Sequence, residues 1–574
     1  MNEPIVAVVV AVVVIAVVTA VARRLNLAGP LILVVIGLGV SLLPFVEIPE
    51  IDPDLILVGV LPPLLYSAAV GMPAIEFRRD FSPIAGLSVL LVFLSAIALG
   101  FFFDAMIPEL GIFLAIALGA ILSPTDAVAT SIVKRLGISP RVTTLLEGES
   151  LLNDATSLVI LRSMLIAVAA GAVQPGALVG SFLLGVLVAI VVGAVVGYVN
   201  LRLRAWVGTP AANTAIGLVV PFAAYVPTEH LDGSGLVAAV VAGIVTGQGA
   251  ARWFTPEQRM SDVLNWRTIE LVLEGGVFLV MGLELEGIVD ANLSEHEGLW
   301  HGTWLALVAL AIIVGVRAVY VTVLVWAQSR RARDKLRRRI ERFGDRLDDL
   351  SRGSADDARE PAPLPRRLES GRTRVRRALA DLDYYQASPL GWRHGAVIVW
   401  AGMRGVVTLA AAQTLPQGDD NPERALLVFV AFLVALVSLL LQGTTLPLLV
   451  RWLGLAGTGD VTASREEQAR LTGELNGAAV AALSGDALRK RDGTTFEADL
   501  VARIGSRLAE PPDDDETAAF RDGLELRLAL IQVMRDRLDA LSHDGTFSTA
   551  ALRRALAELD ADQLNVELRL DDDR

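Results

Sequence analysis

Glu147-Gly-Glu-Ser-Leu-Leu-Asn-Asp-Ala-Thr156 opens an apolar run that continues to residue 170. Wound as a helix, it puts Ser150, Asn153, Asp154 and Ser157 on one face by their i, i+3, i+4 and i+7 spacing. That face offers hydroxyl, amide and carboxylate oxygens. These hard donors suit alkali cations better than an imidazole or thiolate would. Glu149 lies about 100° round the helix, on the adjacent flank. A second apolar run holds Leu122-Ser-Pro-Thr-Asp-Ala-Val128. Pro124 removes a backbone donor there and breaks the helix beside Asp126. A broken helix turns carbonyls and amide ends toward a cavity, as in many midplane ion sites. Asp126 is also placed to cap the second half-helix. A third run holds Trp400-Ala-Gly-Met-Arg-Gly-Val-Val-Thr408. Gly402 and Gly405 allow unwinding around Arg404. A buried arginine cannot lose its proton and needs an anion, and Glu149 is the partner expected for Arg404. Arg162 and Arg317 are also set in apolar sequence, and the sequence assigns them no role.

Charges in such runs matter because an ionised side chain at the centre of a membrane helix costs about 2.5 kcal/mol or more. The chain is 53% hydrophobic and 20% charged over 574 residues, against about 25% charged in soluble domains. The apolar runs are helical, because an open strand edge in lipid leaves backbone groups unpaired. They number about thirteen. Eleven fall in residues 1–327 and two in 391–455. A basic loop separates them at 328–390, and a tail follows at 456–574. The first run, from Pro4 to Ala22, has Glu3 before it and Arg23-Arg24 after it. That polarity is opposite to a signal peptide's. Arg78, Arg79, Lys134, Arg135, Arg202 and Arg252 fall in loops on one side. Glu47, Asp52, Asp104, Glu229 and Asp232 fall on the other, with Arg424 the one basic exception. Positive-inside sorting then puts the N-terminus outside and the C-terminus in the cytoplasm of a multi-pass plasma-membrane protein.

From Arg330 to Arg377 the loop carries 17 Lys/Arg against 9 Asp/Glu, a cytoplasmic balance that fits a solvated helical hairpin broken at Pro361, Pro363 and Pro365 and, as the alternative, contact with anionic head groups. In the tail, Thr517 to Leu541 and Thr549 to Leu570 have helical periodicity. Phe520, Leu524, Leu528, Ile531 and Met534 fall on one face. The chain has no cysteine, which excludes disulfides, thiolate metal sites and cysteine nucleophiles. Its five histidines do not form a zinc-hydrolase motif. A net charge of −13 does not favour nucleic acid.

Ser-Pro-Thr-Asp at 123–126, Gly-Glu-Ser-Leu-Leu-Asn-Asp at 148–154 and Gly-Met-Arg-Gly at 402–405 together resemble the sodium/proton antiporters of the first monovalent cation:proton antiporter family, bacterial members with long tails above all. The likeness covers residues 1–451. It implies an all-α inverted-repeat membrane fold with two crossing broken helices, a core domain and a dimerisation domain, hence a homodimer. It implies that Asp154 binds the Na⁺ or the proton, that Ser150 and Thr125 help ligate the cation beside Asp126, and that Asn153 holds Asp126 and the crossover. It pairs Glu149 with Arg404. The Asn153-Asp154 pair resembles the electroneutral branch. In one respect this chain departs from the resemblance. Some members carry an acid after the Leu-Pro-Pro-Leu-Leu stretch of the third span, where this chain has Tyr66 and Ser67. Na⁺ is the first choice of cation and K⁺ or a broader monovalent range the alternative.

The expected mechanism is competition. A carboxyl group held away from bulk water takes a cation or a proton, not both. The compensated site crosses and the bare one does not, which is exchange in the service of pH homeostasis. No cofactor is needed, and no Walker motif is present to supply hydrolysis. A channel would need a filter such as TVGYG. A sensor kinase would need HRD or DFG motifs. Asp126 and Asp154 also lack the Gly-x-Gly-Asp setting of an aspartyl protease pair.

Overall fold

The computed structural model describes residues 3–25, 28–43, 52–170, 175–207, 209–295, 299–330, 384–385, 389–416 and 423–458, with short stretches of the tail between 473 and 570. Among the described residues every regular element is helical. In chain order the helices are α1 (Glu3–Leu25), α2 (Gly29–Ser41), α3 (Leu55–Gly71), α4 (Ala74–Arg79), α5 (Phe81–Met106), α6 (Ile112–Ile121), α7 (Val128–Arg135), α8 (Pro140–Ala170) and α9 (Pro175–Val207). They continue as α10 (Pro210–His230), α11 (Gly235–Trp253), α12 (Pro256–Leu283), α13 (Leu285–Glu295), α14 (Leu299–Arg330), α15 (Trp392–Trp400), α16 (Val406–Gln413) and α17 (Arg424–Trp452).

Local chemistry sets the ends. Proline opens α8, α10 and α12, where its missing N–H is no loss. Thr255 and Gln258 form a capping box at α12. The Thr255 hydroxyl accepts from the Gln258 N–H at 3.3 Å, and the Gln258 side chain accepts from the Thr255 N–H at 3.0 Å. Two apolar runs fall into halves. Residues 122–127 separate α6 from α7, and residues 401–405 separate α15 from α16.

Seven described helices, α5, α8, α14 and α17 among them, are long and apolar enough to cross a bilayer, and shorter apolar helices accompany them. Val9, Leu187, Val319 and Leu448 are exposed on the outer surface, the apolar exterior that lipid requires. Inside, small residues let backbones meet. A Cβ on Gly37 of α2 would lie 2.5 Å from the Leu279 carbonyl oxygen and 2.8 Å from the Cα of Gly282 in α12. This close crossing fixes α12, which forms one wall of the site.

The chain divides into a unit spanning Met1–Gly459 and a second spanning Asp460–Arg574. Of the basic loop, 331–383 and 386–388 lie outside the described residues. Its end is anchored to the first unit. The Tyr384 hydroxyl donates to Asp80 Oδ2 at 3.1 Å, and Arg141 joins Asp80 to Gln328. In the second unit Leu524 and Ile531 are buried with Val566, and Leu528 packs against them. Met534, expected on the same face, is exposed, and Phe520 lies outside the described residues.

Candidate functional site

The two helix breaks meet. The Asp126 N–H donates to the Met403 carbonyl at 2.7 Å, joining one break to the other. Arg404 serves the two helices that end there. Its Nε donates to the Leu122 carbonyl just past α6 at 3.1 Å, and its Nη1 donates to the Gly402 carbonyl just past α15. Its own N–H donates to Ser438 Oγ of α17 at 2.9 Å. Asp126 serves the two helices that begin there. Its Oδ1 accepts from the Val128 N–H of α7 at 2.8 Å, and its carboxyl packs against Gly405, the residue before α16. A cation thus stands at two carboxyl-terminal ends and an anion at two amino-terminal ends, the favourable arrangement for helix dipoles.

This geometry corrects one expectation. The partner of Glu149 is Arg317 of α14, not Arg404. Arg317 grips Glu149 with both guanidinium nitrogens, Nη1 to Oε1 and Nη2 to Oε2, the latter at 2.8 Å, while its Nε donates to the Ile398 carbonyl at 2.9 Å. Both side chains are almost wholly buried. The physical reason is that Arg404 has other work: the helix-end carbonyls take its donors, which leaves the Glu149 oxygens to Arg317.

Along α8 the polar stripe read from the sequence fastens the first break. Ser150 Oγ donates to the Thr125 carbonyl at 3.0 Å, Asn153 Nδ2 to Thr125 Oγ1 at 2.6 Å and Ser157 Oγ to the Ala120 carbonyl at 2.7 Å. Thr125 Oγ1 in turn donates to Glu149 Oε1 at 3.3 Å. Asn153 therefore holds the crossover through Thr125 rather than through Asp126. Asp154 sits among these residues but joins none of their bonds. It is 8% exposed, and it lines a cavity of about 430 Å³ together with Thr125, Asp126 and Ser150. Asp126 and Asp154 are near enough for their charges to act on one another. The cavity walls carry five carboxylates and a single ammonium, that of Lys134, which already pairs with Glu147. Such a surface draws cations.

Two wall residues went unread in the sequence. Glu270 and Glu274 of α12 face the cavity. Their signal was present: two acids four apart in an apolar run, as out of place there as Asp126. Ser67, noted as standing where some relatives carry an acid, donates to Glu270 Oε1 at 2.5 Å.

The glycines at the second break leave no room to spare. A Cβ on Gly402 would lie 2.7 Å from Arg317 Nε, and one on Gly405 would lie 2.9 Å from the Asp126 Cβ and overlap its carboxyl. Gly405→Ala is expected to cost about 1–3 kcal/mol through overpacking. A lower thermal midpoint in detergent checks it, and wild-type stability would show that the crossover has slack.

Crossed broken helices around a cation-attracting cavity define a membrane ion transporter. The chain belongs to the sodium/hydrogen exchanger family, whose transmembrane model matches residues 9–347 and 366–452. It is 29% identical over 562 residues to an uncharacterized Na⁺/H⁺ exchanger of Mycobacterium tuberculosis, covering 95% of this chain and 93% of that one. It is 25% identical to the Na⁺/H⁺ antiporter ApNhaP of Aphanothece halophytica, covering 74% and 70%. In fold it is similar to the sodium proton antiporter MjNhaP1 of Methanocaldococcus jannaschii, with a TM-score of 0.54 and 18% identity over 79% of this chain and 99% of that one.

Proposed function

We propose that the protein exchanges Na⁺ for H⁺ across the plasma membrane, with one cation and one proton competing for Asp154. The observation that carries this reading is an almost buried carboxylate on a cavity wall, its hydrogen-bonding neighbours all engaged elsewhere. Ser150 and Thr125 keep oxygen lone pairs for the cation beside it, and Asp126 adds charge without losing its place as a helix cap. With Na⁺ or H⁺ aboard, the charge of Asp154 is compensated and the core moves. With neither, a bare carboxylate holds it on one side. Thirteen spans in an inverted repeat, a homodimeric assembly, a cytoplasmic C-terminus and a part in pH homeostasis belong to the same reading. The cavity reaches Lys134 and Glu147, so by the positive-inside rule it opens to the cytoplasm.

The test is dequenching of a pH-sensitive dye in proteoliposomes on adding Na⁺, Li⁺ or K⁺. Na⁺ is expected to give the largest response. An equal or larger K⁺ response moves the protein to the K⁺/H⁺ or broad-range alternative, and no response to any cation ends the antiport reading. Electroneutrality has its own measurement. A cycle moving one net charge would feel about 2.3 kcal/mol per 100 mV. Exchange under a K⁺-valinomycin potential is therefore expected to run at an unchanged rate, and a steep voltage dependence would refute one-for-one exchange.

A further inference from the structure

The two acids of α12 stand apart from the crossover. Glu270 and Glu274 are spaced i, i+4 on one helix face and both line the cavity. Neither spacing nor burial alone would make them a site, but their bonding differs. Glu270 is held by Ser67 of α3, which donates to Oε1 at 2.5 Å. Glu274 is half-buried, takes part in none of the hydrogen bonds or ion pairs formed among the described residues, and feels the charges of Asp126 and Glu270. An acid in an apolar helix carries a cost that calls for a partner or a use. Asp154, 8% exposed and likewise unbonded, opens onto the same cavity from α8. Two unpartnered carboxyl groups from different helices thus share one cavity with a net negative wall. Among the described residues, no three His, Cys, Asp or Glu side chains converge closely enough to hold a metal ion. An ion in this cavity therefore meets carboxylates spread around it and keeps part of its water, as hard cations with few protein ligands do.

We propose that Glu274 is a cation-binding, specificity-determining residue on the α12 wall, with Glu270 positioned beside it by Ser67. The inference rests on the exchange reading with Asp154 as the competing group. α3 contributes a serine and no carboxylate to the cavity, so beyond Asp154 and Asp126 the unpartnered negative charge that meets the ion is that of Glu274 on α12. It acts at the stage when the ion lies between the α8 wall and the α12 wall, and it favours the ion of higher charge density. Its removal weakens cation capture and flattens the difference between Na⁺ and K⁺, while the proton side of the cycle keeps Asp154.

The experiment measures exchange in proteoliposomes for wild type, Glu274→Gln, Glu274→Asp, Ser67→Ala and Asp154→Asn across a series of Na⁺, Li⁺ and K⁺ concentrations. Glu274→Gln is expected to raise the apparent KM for Na⁺ about tenfold, the effect of one unit charge acting through a partly watery space, and to lower the Na⁺ to K⁺ ratio. Maximal rate changes less than KM. Ser67→Ala shifts both quantities the same way by a smaller factor, because it frees Glu270. A purely structural role would lower rate for every cation alike and leave the ratio where it was. If Glu274→Gln does not survive purification, Glu274→Asp carries the test. It keeps the charge but withdraws it by one methylene, and it must change KM and the cation ratio. Wild-type KM and cation order in the surviving variant, with Asp154→Asn inactive, overturns this inference. An active Asp154→Asn overturns the exchange reading instead.

Discussion

Replacing Asp154 with asparagine is expected to abolish cation-driven proton movement while leaving the protein folded. The amide occupies the same volume and can still hydrogen-bond, but it binds no proton in the working range and presents no charge to a metal ion. At about 4 Å and an effective dielectric of about 20, loss of one unit charge removes about 4 kcal/mol of attraction for the cation, on the order of a thousandfold in affinity. No other group at the crossover can substitute. Asp126 is spent on capping α7 and facing α16, and Glu149 is locked to Arg317. The bonds that fix the local fold run from Ser150, Asn153 and Ser157, not from Asp154. Size-exclusion behaviour and the thermal midpoint of Asp154→Asn should therefore stay at wild type while dye dequenching falls to the level of empty liposomes. Exchange at the wild-type rate would remove the basis of the proposed mechanism.

The same residues show how far sequence reading reaches. Pro124 announced one helix break, and Gly402 and Gly405 announced the other, because each is a backbone effect written in the residue itself. The stripe of Ser150, Asn153 and Ser157 was legible because its partners lie on a neighbouring helix that any α8 stripe must touch. What the spacing left out is which long side chain reaches which acid. Arg317 and Arg404 both sit in apolar runs far along the chain from Glu149, and nothing in one-dimensional spacing separates them. The difference comes from the carbonyls left bare where α6 and α15 end, which exist only once the two breaks cross. Glu270 and Glu274 were legible by the same criterion as Asp126, since both are acids in apolar sequence. Glu270 has no proline or glycine beside it, and Gly275 and Gly276 after Glu274 mark no break in α12. Ser67 read as a missing acid because its partner lies on α12, 203 residues away.

Breaking the buried pair is expected to have the largest effect on stability. Arg317 and Glu149 are 2% and 1% exposed at their side chains, so Glu149→Gln leaves a guanidinium without an anion in a dry interior. Loss of one partner of such a pair costs about 3–5 kcal/mol. Arg317→Gln strands the Glu149 carboxylate in the same way and also releases the Ile398 carbonyl that ties α14 to α15. Each single variant should lose yield and thermal stability in detergent. The double variant Glu149→Gln with Arg317→Gln buries no lone charge and should recover much of that loss, a coupling of about 2–3 kcal/mol. Pairing Glu149→Gln with Arg404→Gln should recover far less, because removing Arg404 bares the Leu122 and Gly402 carbonyls and leaves Arg317 uncompensated. Comparing the two double variants separates the alternatives cleanly. Rescue by the Arg404 combination alone would return Glu149 to the partner that the sequence pattern first proposed.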